Sequence, residues 1–426
     1  MPLTAIFSEL AAHIASPEYL LAARHPDHPT AFTRDRKLPL ASLVAVLLCC
    51  CAAVLQCCMR MSIQSELDHL FSNLRQQAQL VRQVSEQAFS QAHTKLSLTA
   101  IPLLNDWLIE RAHHYGFVPQ WRGLRVVAAD ASTVRFGLRA SHVKDAALAD
   151  QILFAMFLPG ADLTLAASLY RMSDNNERQM LFEHLDRLSS TDLLLLDRGY
   201  PCGWLVSVLI QRGIRFCMRV EKSGNTGFAC VRDFLRSGLT EKIVTLPAPK
   251  KCDADDYECT RVPQTVRLVR HIAPNGAVSV MMTNLLDVER FPASCFGDLY
   301  HQRWDIEETF KRIKGRLSLE HVSGLSQQTV VQDVAAKVLC DNLQALTSKS
   351  AHTRADLPQS VRINHAFAHT ALKSLLPALL LAMKVGRRLI TLLQLIAKEN
   401  YRHREGISKP RKPRPKPHKH MTQKQC

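Results

Sequence analysis

Short apolar runs closed by turn residues mark the middle of this chain. Leu193-Leu194-Leu195-Leu196 is apolar at every position, and Asp197-Arg198-Gly199-Tyr200-Pro201 follows at once. An uninterrupted run of that length reads as a strand buried on both faces, as in a parallel sheet. Gly199 and Pro201 punctuate a turn. A helix is then expected over about 203–211, and a strand through Phe216-Cys217-Met218. Val126-Val127-Ala128-Ala129 repeats the design and delivers Asp130 at the end of a second strand. Phe154 to Leu165, turning at Pro159-Gly160, reads as a hairpin. The stretch from about Asn176 to Leu188 reads as a helix. Strands alternating with helices predict an α/β core from Leu124 to Arg219 that resumes near Val278.

The flanks carry other periods. Residues 1 to about 115 read as all-helical, with apolar positions recurring through Leu38–Leu55, Phe71–Leu80 and Leu96–Leu108. Pro102 is expected to start or kink a helix. Residues 220–280 read as strands: Lys242–Leu246 and Val266–Ile272 are β-branched, and Pro274-Asn275-Gly276 turns into Val278–Met282. Ala335 to Glu399 is helical again, with Pro377 as a kink or start. Leu38–Met59 is apolar for about 20 residues, long enough to span a bilayer. Its many Ala and Cys residues and its lack of Ile and Phe weaken insertion.

At 426 residues the chain has room for three or four structural units. The net charge of +16 calls for an anionic partner. Half of it lies in residues 402–424, where nine Lys or Arg stand against one Glu. Alternating Pro with cations, as in KPRKPRPKPHKH, excludes helix and core. That segment reads as a disordered basic tail able to meet phosphates without reading sequence. The N-terminus lacks a basic start followed by a hydrophobic core, so no signal peptide is expected. Thirteen scattered cysteines suit reduced thiols in a cytosol. CDADDYEC holds Cys252 and Cys259 with six residues between them, off the usual zinc spacing, and reads as a flexible acidic loop. A Gly-rich phosphate loop, a dinucleotide fingerprint and a His-Glu-x-x-His helix are all absent from the sequence.

The densest chemistry is in YHQRWDIEETFKRIKGRL. Tyr300, Arg303, Glu307 and Lys314 fall at about 0°, −60°, −20° and −40° around a helix, one narrow stripe. Ile306, Ile313 and Leu317 form an adjoining apolar stripe for burial. Such a face suits a carboxylate holding a metal while cations and a phenol grip phosphates; it equally suits a solvated helix with i,i+4 ion pairs. Two aspartates at strand ends change the balance. With Glu307 they make an oxygen-only set suited to two hard cations, Mg²⁺ or Mn²⁺.

These segments resemble the DDE transposases of bacterial insertion sequences, the IS-four type with a β-rich insertion. VVAADAST around Asp130, LLLLDRGYP around Asp197 and the full Tyr-Arg-Glu-Lys spacing carry the likeness. Weaker echoes stand in AFTRDRKLPL, in QAFSQAHTKL (with His93 where Arg is more usual) and in MMTNLLD at 281–287. The resemblance implies an α/β ribonuclease H-like catalytic core over 120–345, with a β-rich insertion at about 220–280. It is flanked by a helical N-terminal DNA-binding domain over 1–115, a helical region over 346–400 and the basic tail over 401–426. It further implies that Asp130, Asp197 and Glu307 are catalytic and hold two Mg²⁺ or Mn²⁺ ions. Tyr300, Arg303 and Lys314 would contact the element's end. Trp304 would stack on a displaced base or fill the core beside Ile306. A buried helix, and no membrane, is implied for Leu38–Met59.

The expected partner is double-stranded DNA, both the terminal inverted repeats and the target, engaged by a homodimer in a bacterial cytoplasm at the nucleoid. Cleavage and strand transfer, with a hairpin route to release, is the implied reaction. The rivals are a nuclease on the same fold, a catalytically inactive DNA-binding relic that represses a related element, and a membrane protein anchored by Leu38–Met59.

Overall fold

The computed structural model describes residues 2–33, 38–52, 63–75, 81–137, 143, 145–220, 228–273, 275–383 and 386–402. Residues 403–426 of the basic tail, residues 53–59 of the apolar segment, residues 34–37 of AFTRDRKLPL and Pro274 lie outside them. The chain divides into two compact units. One is built from residues 118–132 and 152–310; the other takes the N-terminal helices, residues 133–151 and the chain from 311 onward. The two helical flanks therefore share one unit.

The first unit is organised by a mixed sheet. Its strands are β1 (Gln120–Trp121), β2 (Leu124–Arg135), β3 (Asp150–Leu158), β4 (Leu163–Arg171), β5 (Asp192–Leu196), β6 (Arg215–Val220), β7 (Glu241–Leu246), β8 (Gln264–Ile272) and β9 (Val278–Thr283). Their order is β4-β3-β2-β5-β6-β9-β8-β7, with β1 paired to β2. β2, β5 and β6 run parallel, in the register Val127↔Leu194 and Leu194↔Phe216. β5 is the central strand: all five residues are buried, as an all-apolar run requires when both faces are covered. The helix Gly203–Gln211 crosses from β5 to β6, its six buried residues Trp204–Leu209 giving it the apolar character of a covered helix. β3 and β4 form the hairpin that turns at Pro159-Gly160.

Two expectations are corrected here. β2 does not end at Asp130 but runs on to Arg135, because β3 borders its other edge; its ladder with β5 stops at Ala128↔Leu195. Residues 220–280 are not all strand. Helices Ala229–Arg236 and Lys251–Asp256 interrupt them. Val231 and Phe234, three apart, bury one face of the first, and Ala254 anchors the second. CDADDYEC is thus a short helix and its exit rather than a loop, and Cys252 and Cys259 are free thiols. β7, β8 and β9 extend the same sheet beyond β6 by antiparallel pairing, including Met218↔Met282.

The second unit is helical. Gln327–Arg354 is buried around nearly its whole circumference. It packs against Leu40–Ala52, Ala100–His114, His365–Leu380 and Gly386–Lys398. Pro102 sits in the first turn of its helix, and Pro377 lies inside His365–Leu380 rather than at a start. Leu43 to Leu48 are all buried, and the Cys340 thiol donates to Leu48 O at 3.2 Å. The described part of the apolar segment is therefore a core helix of this unit. No helix among the described residues is long and apolar enough to cross a membrane. A two-stranded ribbon, β10 (Val361–Ile363) with β11 (Asn400–Arg402), completes the unit.

Candidate functional site

Parallel strands bring two carboxylates side by side. The β2–β5 register pairs Ala128 with Leu195; continued by two residues it sets Asp130 beside Asp197. Neighbouring strands lie about 4.8 Å apart, and paired positions point to the same face. Both residues stand past the parallel ladder, where loops leave a crevice in open α/β sheets. Each is fixed by the backbone: Asp130 Oδ1 accepts from Ala131 N at 2.9 Å, and Asp197 Oδ1 from Gly199 N at 2.7 Å. Gly199 lets the Asp197 and Glu177 carboxylates approach closely. A Cβ there would meet Asp197 Oδ1 at 3.1 Å and Glu177 Oε2 at 3.8 Å.

The Glu307 segment is not one helix. Phe296–His301 ends, Gln302 and Arg303 make a tight turn, and Trp304–Arg316 begins. Short-range bonds carry the chain through, Arg303 N to Tyr300 O at 3.0 Å and Asp305 N to Gln302 O at 3.1 Å. The single stripe expected from 100° per residue is therefore broken between its first and third members. The turn buries Arg303, whose guanidinium donates to Glu307 Oε1 at 2.8 Å and lies 3.7 Å from Asp130 Oδ2. Ile306 and Phe310 bury the adjoining face, as the apolar stripe requires.

The remaining predicted residues divide. Tyr300 is buried, with the Arg303 guanidinium 5.8 Å from its ring centre. Trp304 is 47% exposed, which removes the core-filling alternative, and Arg303 stands 5.2 Å over its ring. Lys314 donates to Thr133 O at 2.5 Å. That bond gives its ammonium a structural partner three residues past Asp130 on β2.

Sequence reasoning missed Glu177 and Tyr200. Asn176 caps the helix Glu177–Phe182, so Glu177 opens it. Arg178 donates to Gly199 O at 3.0 Å and Tyr200 O at 3.1 Å, holding the DRGY turn against that helix start. Tyr200 is fully buried, and its hydroxyl has no hydrogen-bond partner among the described residues. No spacing rule links Glu177 to either aspartate; a capped helix after a strand was the sole local sign.

The electrostatics reflect carboxylates short of positive charge. Burial, with repulsion from Asp197 and Glu307, pushes Asp130 up to about 6 against the pull of Ala131 N and Arg303. Burial, then Asp130 and Asp197, pushes Glu177 up to about 7. Burial raises the Tyr200 phenol well above its ordinary range, with Glu177, Asp130 and Asp197 adding to it. Among the described residues no three His, Cys, Asp or Glu side chains close tightly around one point. The Arg303 guanidinium reaches into the space between Asp130 and Glu307. The donor set still fits hard divalent cations in its chemistry: all oxygen, with several carboxylates and a buried phenol among the residues around it.

The family model described as a transposase DDE domain matches residues 121–343. Over 272 residues the chain is 24% identical to the transposase InsG for insertion sequence element IS4 of Escherichia coli (strain K12), covering 61% of this chain. The chain spans 60% of the length of that relative. A cryo-EM structure of the piggyBac transposase synaptic complex with hairpin DNA is similar over 92% of this chain and 84% of that one, at 12% identity and a TM-score of 0.43. With Asp130, Asp197 and Glu307 all inside the matched segment, the chain belongs to the transposase DDE domain family.

Proposed function

We propose that this protein is a transposase that cuts DNA at the ends of an insertion sequence and joins the freed ends to a target by phosphoryl transfer. The observation that supports the reading best is Asp130 on β2 and Asp197 just past the adjacent parallel strand β5, with Arg303 within reach of both Asp130 and Glu307. The sheet order β4-β3-β2-β5-β6 supports a ribonuclease H-like core, to which β9-β8-β7 add the insertion.

Asp130, Asp197 and Glu307 would hold two divalent ions, Mg²⁺ or Mn²⁺. When bound, such ions lower the pKa of the attacking water or 3′-hydroxyl and offset charge on the leaving oxygen. The protein's own residues do the rest. The strand backbone fixes both aspartates, so little reorganisation is needed when the phosphodiester arrives. Arg303 orients Glu307 and supplies positive charge beside the scissile phosphate. Exposed Trp304, backed by that guanidinium, is available for stacking on an unpaired base. Buried Tyr300 supports Arg303 from beneath. The net charge of +16 favours a long anionic partner, and half of it lies in residues 402–424, suiting contacts blind to sequence. Two ends must be cut together, so the active species is a homodimer.

The test is a supercoiled plasmid carrying the DNA that flanks this reading frame, incubated with purified protein and Mg²⁺, with Glu307→Gln in parallel and 3′ ends mapped. Matched cleavage at two ends, followed by joining and lost in the variant, is expected. Cutting without joining would indicate a nuclease. Binding with no cutting in Mg²⁺ or Mn²⁺ would indicate an inactive DNA-binding relic.

A further inference from the structure

We propose that Glu177 is a fourth carboxylate of the ion site, completing with Asp130 and Asp197 the oxygen ligands of a divalent ion, and that the Tyr200 hydroxyl bonds within the same hydrated set. The inference rests on the transposase reading above.

Three observations converge. Glu177 Oε2 and Asp197 Oδ1 both border the small space left by the missing side chain of Gly199. Arg178 clamps the turn that bears Gly199 and Tyr200 to the helix start that bears Glu177, so this approach is fixed by hydrogen bonds. The Tyr200 side chain is fully buried, lies within electrostatic reach of Glu177, Asp130 and Asp197, and its hydroxyl is orphaned among the described residues. A buried hydroxyl without a partner is costly, and one close to several carboxylates is relieved by a hydrated cation among them. A hydrated divalent cation satisfies both: it neutralises the carboxylates, and its water offers the phenol a partner. The competing account gives Glu177 a purely structural role, an acid at the first position of a helix where the dipole favours it. The two accounts predict opposite stabilities without metal.

The experiment uses the full chain stripped of metal, titrated with Mn²⁺ and followed by the EPR signal of the free ion and by thermal unfolding. Wild type, Glu177→Gln, Tyr200→Phe and Asp130→Asn are compared. Glu177→Gln should weaken Mn²⁺ binding about tenfold or more. Its metal-free melting temperature should equal or exceed that of wild type, because repulsion is relieved, while its gain from Mn²⁺ shrinks. Tyr200→Phe should also melt no lower without metal and gain less from Mn²⁺. Should Glu177→Gln fail to fold, Glu177→Asp keeps the acid at the helix start yet withdraws the carboxylate, and should still bind more weakly.

Wild-type Mn²⁺ affinity in the Glu177 variants, alongside loss in Asp130→Asn, would overturn the proposal and leave the transposase site intact. A lower metal-free melting temperature with unchanged Mn²⁺ gain would overturn it in favour of the helix-start role. No Mn²⁺ binding by wild type would remove the site reading and this inference together.

Discussion

Two regions of this protein bury charge, and they treat it in opposite ways. Along the helix Gln327–Arg354, each buried ionic group has a partner of its own. Asp341 takes Arg312 at 2.7 Å, Lys337 donates to the carbonyls of Ser318, Leu319 and His321, and Asp333 accepts from Ser323 N and Oγ. Asn342 and Asn105 bond to each other at 2.7 Å. In the crevice of the sheet, Asp130, Glu177, Asp197 and Glu307 share the Arg303 guanidinium at two of the four, and the Tyr200 hydroxyl has no partner among the described residues. Internal pairing is what a structural interior needs, since an unmatched buried polar group costs stability. A deficit of positive charge is what a site needs if an outside cation is to bind there. The contrast separates buried charges paired for the fold from carboxylates left short of positive charge.

Three perturbations test that contrast, and the largest effect is expected in the crevice. Asp197→Asn should lower metal-dependent strand cleavage by about a thousandfold or more, while urea unfolding of the metal-free protein shows no loss of stability. A large loss of stability would place Asp197 with the fold-keeping groups instead.

The helical unit should respond the other way. Asp341→Asn removes the buried carboxylate that lies 2.7 Å from the guanidinium of Arg312, itself 12% exposed. Removing one member of a buried pair costs about 3–5 kcal/mol, read from urea unfolding. Replacing both, Asp341→Leu with Arg312→Met, should recover most of the loss, because the cost lies in the unmatched charge. A double variant no better than the single one would break the comparison.

The smallest effect concerns pH. His184 is buried in the sheet unit, with Nδ1 2.8 Å from Met180 O and Nε2 2.9 Å from Ser168 Oγ, a neutral tautomer satisfied on both sides. Burial holds its pKa below the ordinary value. The unfolded chain therefore binds a proton that the folded chain refuses once the pH falls below about 6.5. The contribution is complete above that pH and is lost as the pH drops toward the folded value, with a slope of at most about 1.4 kcal/mol per pH unit. His184→Gln should flatten the stability profile between about pH 5 and 6.5 relative to wild type. Identical profiles would mean that His184 is protonated in the folded state.

Much of the site's frame was legible in the chain itself. An all-apolar run before Asp197 implied a strand covered on both faces, and β5 is that strand. The punctuation around Gly199 and Pro201 placed the turn, and the helix Gly203–Gln211 begins and ends at the expected residues. Other features were misread for local reasons. Helical arithmetic put Tyr300, Arg303 and Glu307 on one stripe, yet the chain turns at Gln302-Arg303 so that Arg303 can be buried between two carboxylates. β-branched runs suggested strands throughout 220–280, while pairs such as Val231 and Phe234 carried the helical period between them.

What the sequence determined by itself were the elements and the chemical types: strands from continuous apolar runs, helices from their periods, and three acidic positions set in recognisable surroundings. These signals are local, because backbone geometry repeats every two or 3.6 residues and leaves its mark in neighbouring positions. The tertiary structure alone decided which side chains share a crevice. The parallel register brings Asp130 and the residue that follows β5 to the same end of the sheet, and Arg178 pins the helix start bearing Glu177 to the turn after Asp197. Nothing in the spacing of residues 130, 177 and 197 encodes that arrangement, since strand order and register arise from burial across the whole sheet.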